Sequence, residues 1–115
     1  MKELKTQINY QEFTKVDIRI GTIEEIEEIP NSEKLLKLSV DFGELGKKQI
    51  LSGIKKWYTA EDLKGLQVCF VLNLEPRQMM GLVSEGMILA TDPKDDSRPV
   101  LFGPDEAVKN GIGTC

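Results

Sequence analysis

Short runs in which apolar and polar residues alternate recur along this chain, and they constrain its fold more than any other feature. In the first run, Val16, Ile18 and Ile20 alternate with Asp17 and Arg19. A period of two residues is typical of a strand with one buried face and one solvated face. A half-buried β-strand is therefore expected here, in which Asp17 and Arg19 share the outer face and can pair.

Gly21 lies where the apolar phase of this first strand changes, because the next apolar residues are Ile23, Ile26 and Ile29. A glycine at a change of phase predicts a β-bulge or a sharp bend. Long, bent first strands help small barrels to close on themselves.

Four further strands and one short helix are predicted after the turn at residues 30–32. The strands cover residues 36–42, 49–53, 68–72 and 87–90, with a helical start at 32–35 as a weaker alternative for the second. Thr59 is a plausible N-cap, acidic residues follow it, and Gly65 ends the segment, so a short helix is expected there.

This order predicts an all-β fold, a five-stranded OB-fold Greek-key barrel with a short helix between strands 3 and 4. In that architecture ligands lie across strands 2 and 3, bordered here by residues 30–34 and 73–86. An SH3-like barrel is the alternative, which the position of the helix disfavours. At 115 residues the chain is expected to be one domain, residues 1–115, with terminal extensions at 1–12 and 100–115.

Composition excludes several classes of function. The chain has no histidine, and its two cysteines are far apart, Cys69 in an apolar run where a buried thiol is expected and Cys115 at the end. Serine/histidine and cysteine/histidine catalysis and the usual transition-metal ligand sets are therefore excluded. No window is apolar enough to span a bilayer, and the first residues do not resemble a signal peptide. We expect a cytoplasmic protein with no membrane contact, cofactor, metal or active site of its own.

The net charge of −4 is an objection to nucleic-acid binding, which usually leaves a basic footprint. The charge is uneven, however. Four glutamates lie within residues 24–28, whereas lysines concentrate at positions 47, 48, 55, 56 and 64. A local basic face on an acidic domain and a merely solvated surface both remain open.

The segment 73–86 joins two strand-like runs and contains proline and glycine, as a loop at the rim of a β-structure does. Rigid scaffolds commonly carry binding residues on such loops. Arg77 offers a planar fork for phosphate, or is an ordinary surface arginine. Asn73 and Ser84 either form turns or hydrogen-bond an unpaired nucleotide.

Two lysines and two aromatic residues lie outside that loop. Lys34, between strands 1 and 2, and Lys55, at the exit of strand 3, are candidate phosphate contacts, with solvated lysines as the alternative. Trp57 and Tyr58 can stack on bases, but packing of the helix onto the barrel is the favoured interpretation.

The chain resembles the tRNA-binding domain family, found at the carboxyl end of bacterial methionyl-tRNA synthetases, as a separate beta subunit of that enzyme, and as free-standing dimeric tRNA-binding proteins. Four blocks carry the resemblance: FTKVDIRIG at 13–21, PNSEKL at 30–35, QILSGI at 49–54, and NLEP at 73–76 with the later MG at 80–81 and SEGM at 84–87.

The resemblance implies binding of tRNA by its shape on an OB-fold core, with terminal segments that mediate homodimerisation. It implies a non-catalytic partner of a methionyl-tRNA synthetase catalytic subunit (a methionine-tRNA ligase), or a standalone relative. A chaperone-like, polypeptide-binding protein of the export-related branch is the alternative. The motif positions and the charged loop residues together give seven predicted tRNA-binding residues: Lys34, Lys55, Asn73, Arg77, Met80, Ser84 and Met87.

Overall fold

The computed structural model describes residues 3–115, so positions 1 and 2 of the predicted amino-terminal extension lie outside the described residues. Within that range the chain forms a five-stranded antiparallel sheet, in the order β3-β2-β1-β4-β7, and a two-stranded hairpin, β5-β6. The strands are β1 Ile18–Glu28, β2 Leu36–Asp41, β3 Lys47–Ser52, β4 Gln67–Val71, β5 Arg77–Met79, β6 Leu82–Ser84 and β7 Met87–Ile88. Two short α-helices, α1 Tyr10–Phe13 and α2 Ala60–Leu63, and a 3-10 turn at Gly43–Leu45 complete the elements.

The sheet curls until β3 meets the segment between β6 and β7. The amide of Glu85 donates to the carbonyl of Gln49 at 2.8 Å, and the Glu85 carboxylate accepts from the Gln49 amide at 2.9 Å. The Ser84 hydroxyl oxygen accepts from the amide of Leu51 at 3.0 Å. The predicted all-β fold class is confirmed, and the curled sheet is consistent with an OB-fold-type barrel.

Alternate residues of the strands fill the barrel. In β2 the inward residues Leu36, Leu38 and Val40 are at most 3% exposed, while the residues between them are half-buried. The rings of Phe42 and Phe70 meet edge to face with centroids 5.3 Å apart, a favourable aromatic geometry. The period of two that predicted the second strand is therefore the period of the core.

Of the two features predicted at Gly21, the bulge is wrong, because the shift of register between β1 and β2 lies between Ile23 and Glu25, while the sharp bend stays a prediction. Gly21 itself pairs regularly with β4. A Cβ atom at position 21 would lie 2.6 Å from side-chain atoms of both Phe42 and Val40. A glycine is required at position 21 because Phe42 and Val40 leave no room for a side chain. In the sequence alone, a glycine kept for this reason cannot be distinguished from a glycine at a β-bulge.

Helix α2 begins as predicted, at an N-cap threonine. The Thr59 hydroxyl accepts from the Asp62 amide at 3.3 Å, and the Asp62 carboxylate accepts from the Thr59 amide at 2.8 Å, which is a capping box. These bonds lower the pKa of Asp62. Leu63 is fully buried, and Tyr58 is buried with its hydroxyl donating to the Pro99 carbonyl at 2.6 Å. The favoured packing interpretation of this aromatic segment is confirmed.

The segment 73–86, predicted as a loop, contains the β5-β6 hairpin. Met79 pairs with Leu82, so Met80 and Gly81 form a two-residue connection with φ values of +52° and +78°. Positive φ at both central residues is typical of a type I′ hairpin turn. The hairpin escapes sequence analysis because strands of three residues are too short to display a period.

The carboxyl-terminal segment lies against β1. The amide of Gly111 donates to the carbonyl of Ile20 at 2.7 Å, and Gly113 forms a bridge with Arg19. The Arg19 guanidinium pairs with Asp17 at 2.6 Å, as predicted, which raises the pKa of Arg19. Cys69, predicted to be buried, is half-buried, and burial raises the pKa of its thiol. Nowhere between residues 3 and 115 is there a helix with the length and apolar character needed to cross a membrane.

Candidate nucleic-acid interface

Two rows of side chains cross the outer surface of β1, β2 and β3, which we call the outer face. The strand register places Glu27, Lys37 and Leu51 in one row and Glu25, Ser39 and Gln49 in the next. Most of these side chains line an open depression of about 380 Å³. A broad polar surface of this kind accommodates a nucleic-acid backbone better than a small apolar ligand.

Three ion pairs, which we call the ion-pair strip, connect lysines of this region to the glutamates of β1. They are Lys37–Glu27 at 3.1 Å, Lys47–Glu24 at 3.0 Å and Lys55–Glu28 at 3.5 Å. The hydrogen bond and the attraction between charges raise the pKa of Lys47. Exposed pairs of this type contribute little stability, so a phosphate can replace the carboxylate at small cost.

The outer face ends in a cleft beneath the β5-β6 hairpin, which we call the hairpin cleft. It has a volume of about 160 Å³ and is lined by Leu51, Leu74, Glu75, Arg77, Met79, Ser84, Gly86 and Met87. Leu51 and Ser84 are its buried members, whereas Leu74 and Met87 are about half exposed. Three of the seven predicted tRNA-binding residues therefore meet in one cleft.

Ser84 is 3% exposed, and its hydroxyl has protein partners on both sides. Its oxygen accepts from the Leu51 amide at 3.0 Å, and the hydroxyl donates to the Gly86 carbonyl at 2.9 Å. The sequence suggested a hydroxyl free to bond a nucleotide. The structure places it where it fixes the backbone of the hairpin cleft to β3.

Asn73 follows β4 and binds the amino-terminal segment. Its side-chain carbonyl accepts from the amide of Asp17 at 2.8 Å, and its side-chain amide donates to the carbonyl of Lys15. The residue is exposed, but both ends of its side-chain amide bond the backbone. It ties the chain before β1 to the start of the hairpin region.

The remaining predicted residues of the hairpin region are exposed. Arg77 is the first residue of β5, Met80 lies at the hairpin turn and is 53% exposed, and Met87 is 46% exposed. Within residues 3–115, no carboxylate lies within 4.0 Å of the Arg77 guanidinium. The side chain is available for an external anion.

Lys34 and Lys55 lie together at the β1-β2 loop, separate from the hairpin cleft. The Lys55 amide donates to the Lys34 carbonyl at 3.1 Å. The Lys55 ammonium donates to the carbonyl of Ser32 at 3.0 Å and pairs with Glu28. Lys34 is exposed and, among residues 3–115, has no acidic partner within 4.0 Å.

Sequence reasoning did not select two groups of residues that the structure brings to this surface. Lys37 and Gln49 lie on the outer face, and Glu75 lies in the hairpin cleft beside Arg77. Lys37 occupies a polar position of the alternating second strand, so alternation was an available signal for it, whereas Gln49 opens the QILSGI block of the third strand, which does not alternate. Glu75 stands in the NLEP block two residues before Arg77, but only the hairpin shows that both side chains line one cleft. Over the described part of the chain, no cluster of three or more histidine, cysteine or acidic side chains is suited to a metal ion.

The comparisons with known proteins indicate one family. Residues 18–113 match a family model described as a putative tRNA binding domain. A methionine–tRNA ligase from Bacteroides fragilis is 44% identical over 110 residues, which are 96% of this chain and 16% of that protein. The chain therefore spans a small part of the length of the curated relatives it matches.

Two solved structures match over nearly the whole chain. The chaperone CsaA from Bacillus anthracis is 36% identical, with a TM-score of 0.85, over 96% of this chain and 100% of the other. A MetRS-related protein from Pyrococcus horikoshii is 31% identical, with a TM-score of 0.88, over the same shares.

Proposed function

We propose that this chain, which belongs to the putative tRNA-binding domain family, binds tRNA as a single-domain module without an active site of its own. The observation that carries the proposal is the family match, which extends over residues 18–113. The outer face and the hairpin cleft support it, because they join a broad polar surface to a cleft with a free guanidinium.

The module works beside a methionyl-tRNA synthetase, as its beta subunit or as a standalone relative of its carboxyl-terminal domain. The similarity to methionine–tRNA ligases over 96% of the chain and to a MetRS-related protein supports this role. A weak tRNA contact next to a catalytic site raises the local concentration of tRNA without any chemistry. We place the protein in the cytoplasm, together with the synthetase that it is proposed to assist.

The seven predicted residues divide into direct contacts and supports. We assign direct contacts with tRNA to the exposed side chains Lys34, Arg77, Met80 and Met87. Lys55 exchanges its Glu28 partner for a phosphate when tRNA binds. Asn73 and Ser84 act by holding the backbone of the site, because their polar groups already bond the protein.

The protein works as a homodimer through its terminal segments. Large apolar side chains lie exposed there, with Leu4 at 99%, Tyr10 at 76% and Phe102 at 48%. Large apolar side chains exposed on the two terminal segments are typical of interaction surfaces, and a second copy would cover them. Sedimentation equilibrium should show a dimer at micromolar concentration and a monomer for Tyr10→Asp; a monomeric wild type would overturn the assignment.

Filter binding of bulk tRNA across a series of salt concentrations tests the function. We expect binding at micromolar protein that weakens as salt rises, because phosphate contacts release counterions. Arg77→Ala should weaken binding about tenfold, as expected for one lost charge-assisted contact of about 1.5 kcal/mol. Lys64→Ala is the matched control, since Lys64 follows α2, away from the outer face, and lies outside the terminal segments. Binding that is absent, or insensitive to salt, would refute the proposal.

A chaperone-like, polypeptide-binding function is the second candidate. The specific observation in its favour is the similarity to the chaperone CsaA, at 36% identity over the whole of that chain. The apolar residues of the hairpin cleft suit a peptide side chain as well. Binding of unfolded polypeptide that excess tRNA cannot displace would favour this candidate over tRNA binding.

A further inference from the structure

The hairpin cleft is matched in size to a single flat ring. Its volume is about 160 Å³, and a cavity of about 150 Å³ is known to accept benzene. An open cleft of this size accepts one nucleobase at a time and cannot enclose a stacked pair. Bases that proteins read in single-stranded or looped RNA are unstacked in this way.

Apolar side chains provide the faces on which such a ring packs. Leu51, at 5% exposure, is the most buried of the apolar residues in the cleft, and Leu74, Met79 and Met87 line the remainder. Methionine thioethers make favourable contacts with aromatic rings, and their flexible side chains adapt to a planar guest. These side chains retain a base but do not distinguish one base from another.

Two charged groups in the cleft supply the discrimination. Glu75 and Arg77 both line it, and within residues 3–115 neither forms an ion pair or a side-chain hydrogen bond. An ionised carboxylate only accepts hydrogen bonds, and it can accept two side by side. An arginine fork binds a phosphate in two places. The cleft therefore offers a double acceptor for a base edge and a donor for the backbone of the same nucleotide.

Guanine is the base that matches a double acceptor. Its Watson–Crick edge presents N1–H and the N2 amino group next to each other, two donors in line with two carboxylate oxygens. Adenine and cytosine each present one amino group beside an unprotonated ring nitrogen, which repels a carboxylate. Uracil presents a single N–H between two carbonyls.

We infer that the hairpin cleft binds one unstacked guanine of a bound RNA, with Glu75 accepting from its Watson–Crick edge and Arg77 binding its phosphate. The inference rests on the proposed tRNA binding and adds a base preference to it. Recognition by the outer face is independent of sequence, whereas the cleft selects which unpaired nucleotide is seated.

The test uses the full chain and the pentanucleotides UUGUU, UUAUU and UUUUU. Fluorescence anisotropy should show that UUGUU binds about tenfold more tightly than the other two, within the range expected for one bidentate base contact. Methyl resonances of Met79 and Met87 should shift with UUGUU. Glu75→Gln should reduce the preference to about twofold, because the amide has only one acceptor. Glu61→Gln, at an exposed position of α2 outside both the cleft and the terminal segments, is the matched control and should leave the preference unchanged.

Bulk tRNA binding, measured with the same samples, separates this inference from the proposed function. Wild-type protein that binds tRNA but shows no preference for UUGUU would overturn the guanine site and leave tRNA binding standing. A preference that survives in Glu75→Gln, with the thermal unfolding of the variant unchanged, would overturn it as well. So would methyl shifts at Met79 and Met87 produced by an apolar heptapeptide and not by UUGUU, since the cleft would then hold a polypeptide.

Discussion

The ion-pair strip and the hairpin cleft lie on one side of the barrel, but they differ in whether their charged side chains form ion pairs. In the strip each lysine lies within 3.5 Å of a glutamate of β1. In the cleft Glu75 and Arg77 lie among apolar side chains and, within residues 3–115, have no ionic partner. The strip can therefore give an adjustable, salt-sensitive attraction to any phosphate backbone, whereas the cleft can give selectivity.

The contrast explains how a chain with a net charge of −4 suits an RNA ligand. Judged by net charge, the glutamates of β1 should repel RNA. In the structure, however, three of them form ion pairs with lysines. In the proposed mode of binding, a phosphate would exchange for the carboxylate of an exposed pair that contributes little stability. The arrangement of charges, and not their sum, decides whether binding is favourable.

The largest effect, on the free energy of unfolding, is expected from removing the Ser84 hydroxyl, which binds β3 beside the hairpin cleft. Ser84→Ala leaves the Leu51 amide without its partner at a buried position, which costs roughly 1–3 kcal/mol of unfolding free energy. The preference for guanine should decrease because the hairpin cleft loses its anchor to β3. The salt dependence of tRNA binding, which the ion-pair strip sets, should be unchanged. Denaturant unfolding and pentanucleotide binding measure the two effects.

Ser97→Ala is the control for this change, because Ser97 is exposed and, among residues 3–115, its side chain bonds only the nearby Asp95. It should alter the unfolding free energy by less than about 0.5 kcal/mol. Equal stabilities for the two variants would show that Ser84 does not anchor the cleft.

Much of the fold could be predicted because its signals are local. The alternation from Leu36 to Phe42 fixes both the existence of β2 and its buried face. The capping box at Thr59 and Asp62 lies within four residues, so the start of α2 was visible. Gly21 was misinterpreted because the crowding that requires it comes from residues about twenty positions away, which no local pattern reports.

The site was less predictable for the same physical reason. A serine in a turn and a serine that accepts from a strand 33 residues away have the same sequence signal, so the burial of Ser84 was invisible. Arg77 was selected by charge, but its neighbour in the cleft, Glu75, depends on the fold of a hairpin too short to show a period. The pairing of Lys55 with Glu28 likewise depends on the sheet register.

A smaller effect should follow from releasing a lysine of the strip. Glu27→Gln frees Lys37 from its ion pair, so tRNA affinity at low salt should rise about twofold to threefold, while the logarithmic salt dependence should stay close to the wild-type value because Lys37 makes the same phosphate contact in both proteins. Filter binding at four salt concentrations measures both quantities.

Glu44→Gln is the matched control, since Glu44 pairs with Lys109 beside the carboxyl-terminal segment. It should leave affinity and slope close to the wild-type values. If both variants strengthened binding equally, the gain would come from net charge alone and the strip would have no special role.

The smallest effect on tRNA binding is expected at Lys34, an exposed lysine of the β1-β2 loop, which we compare with Lys64. Lys34 and Lys64 are both exposed, and within residues 3–115 neither has an acidic partner within 4.0 Å. Lys34 borders the outer face, whereas Lys64 ends α2. Lys34→Ala should weaken tRNA binding about twofold and lower the salt slope by less than one unit, as expected for one lost phosphate contact, while Lys64→Ala should change neither. Equal losses would mean that tRNA senses only the diffuse charge of the domain, and a loss at Lys64 alone would place the RNA on the helix side of the barrel.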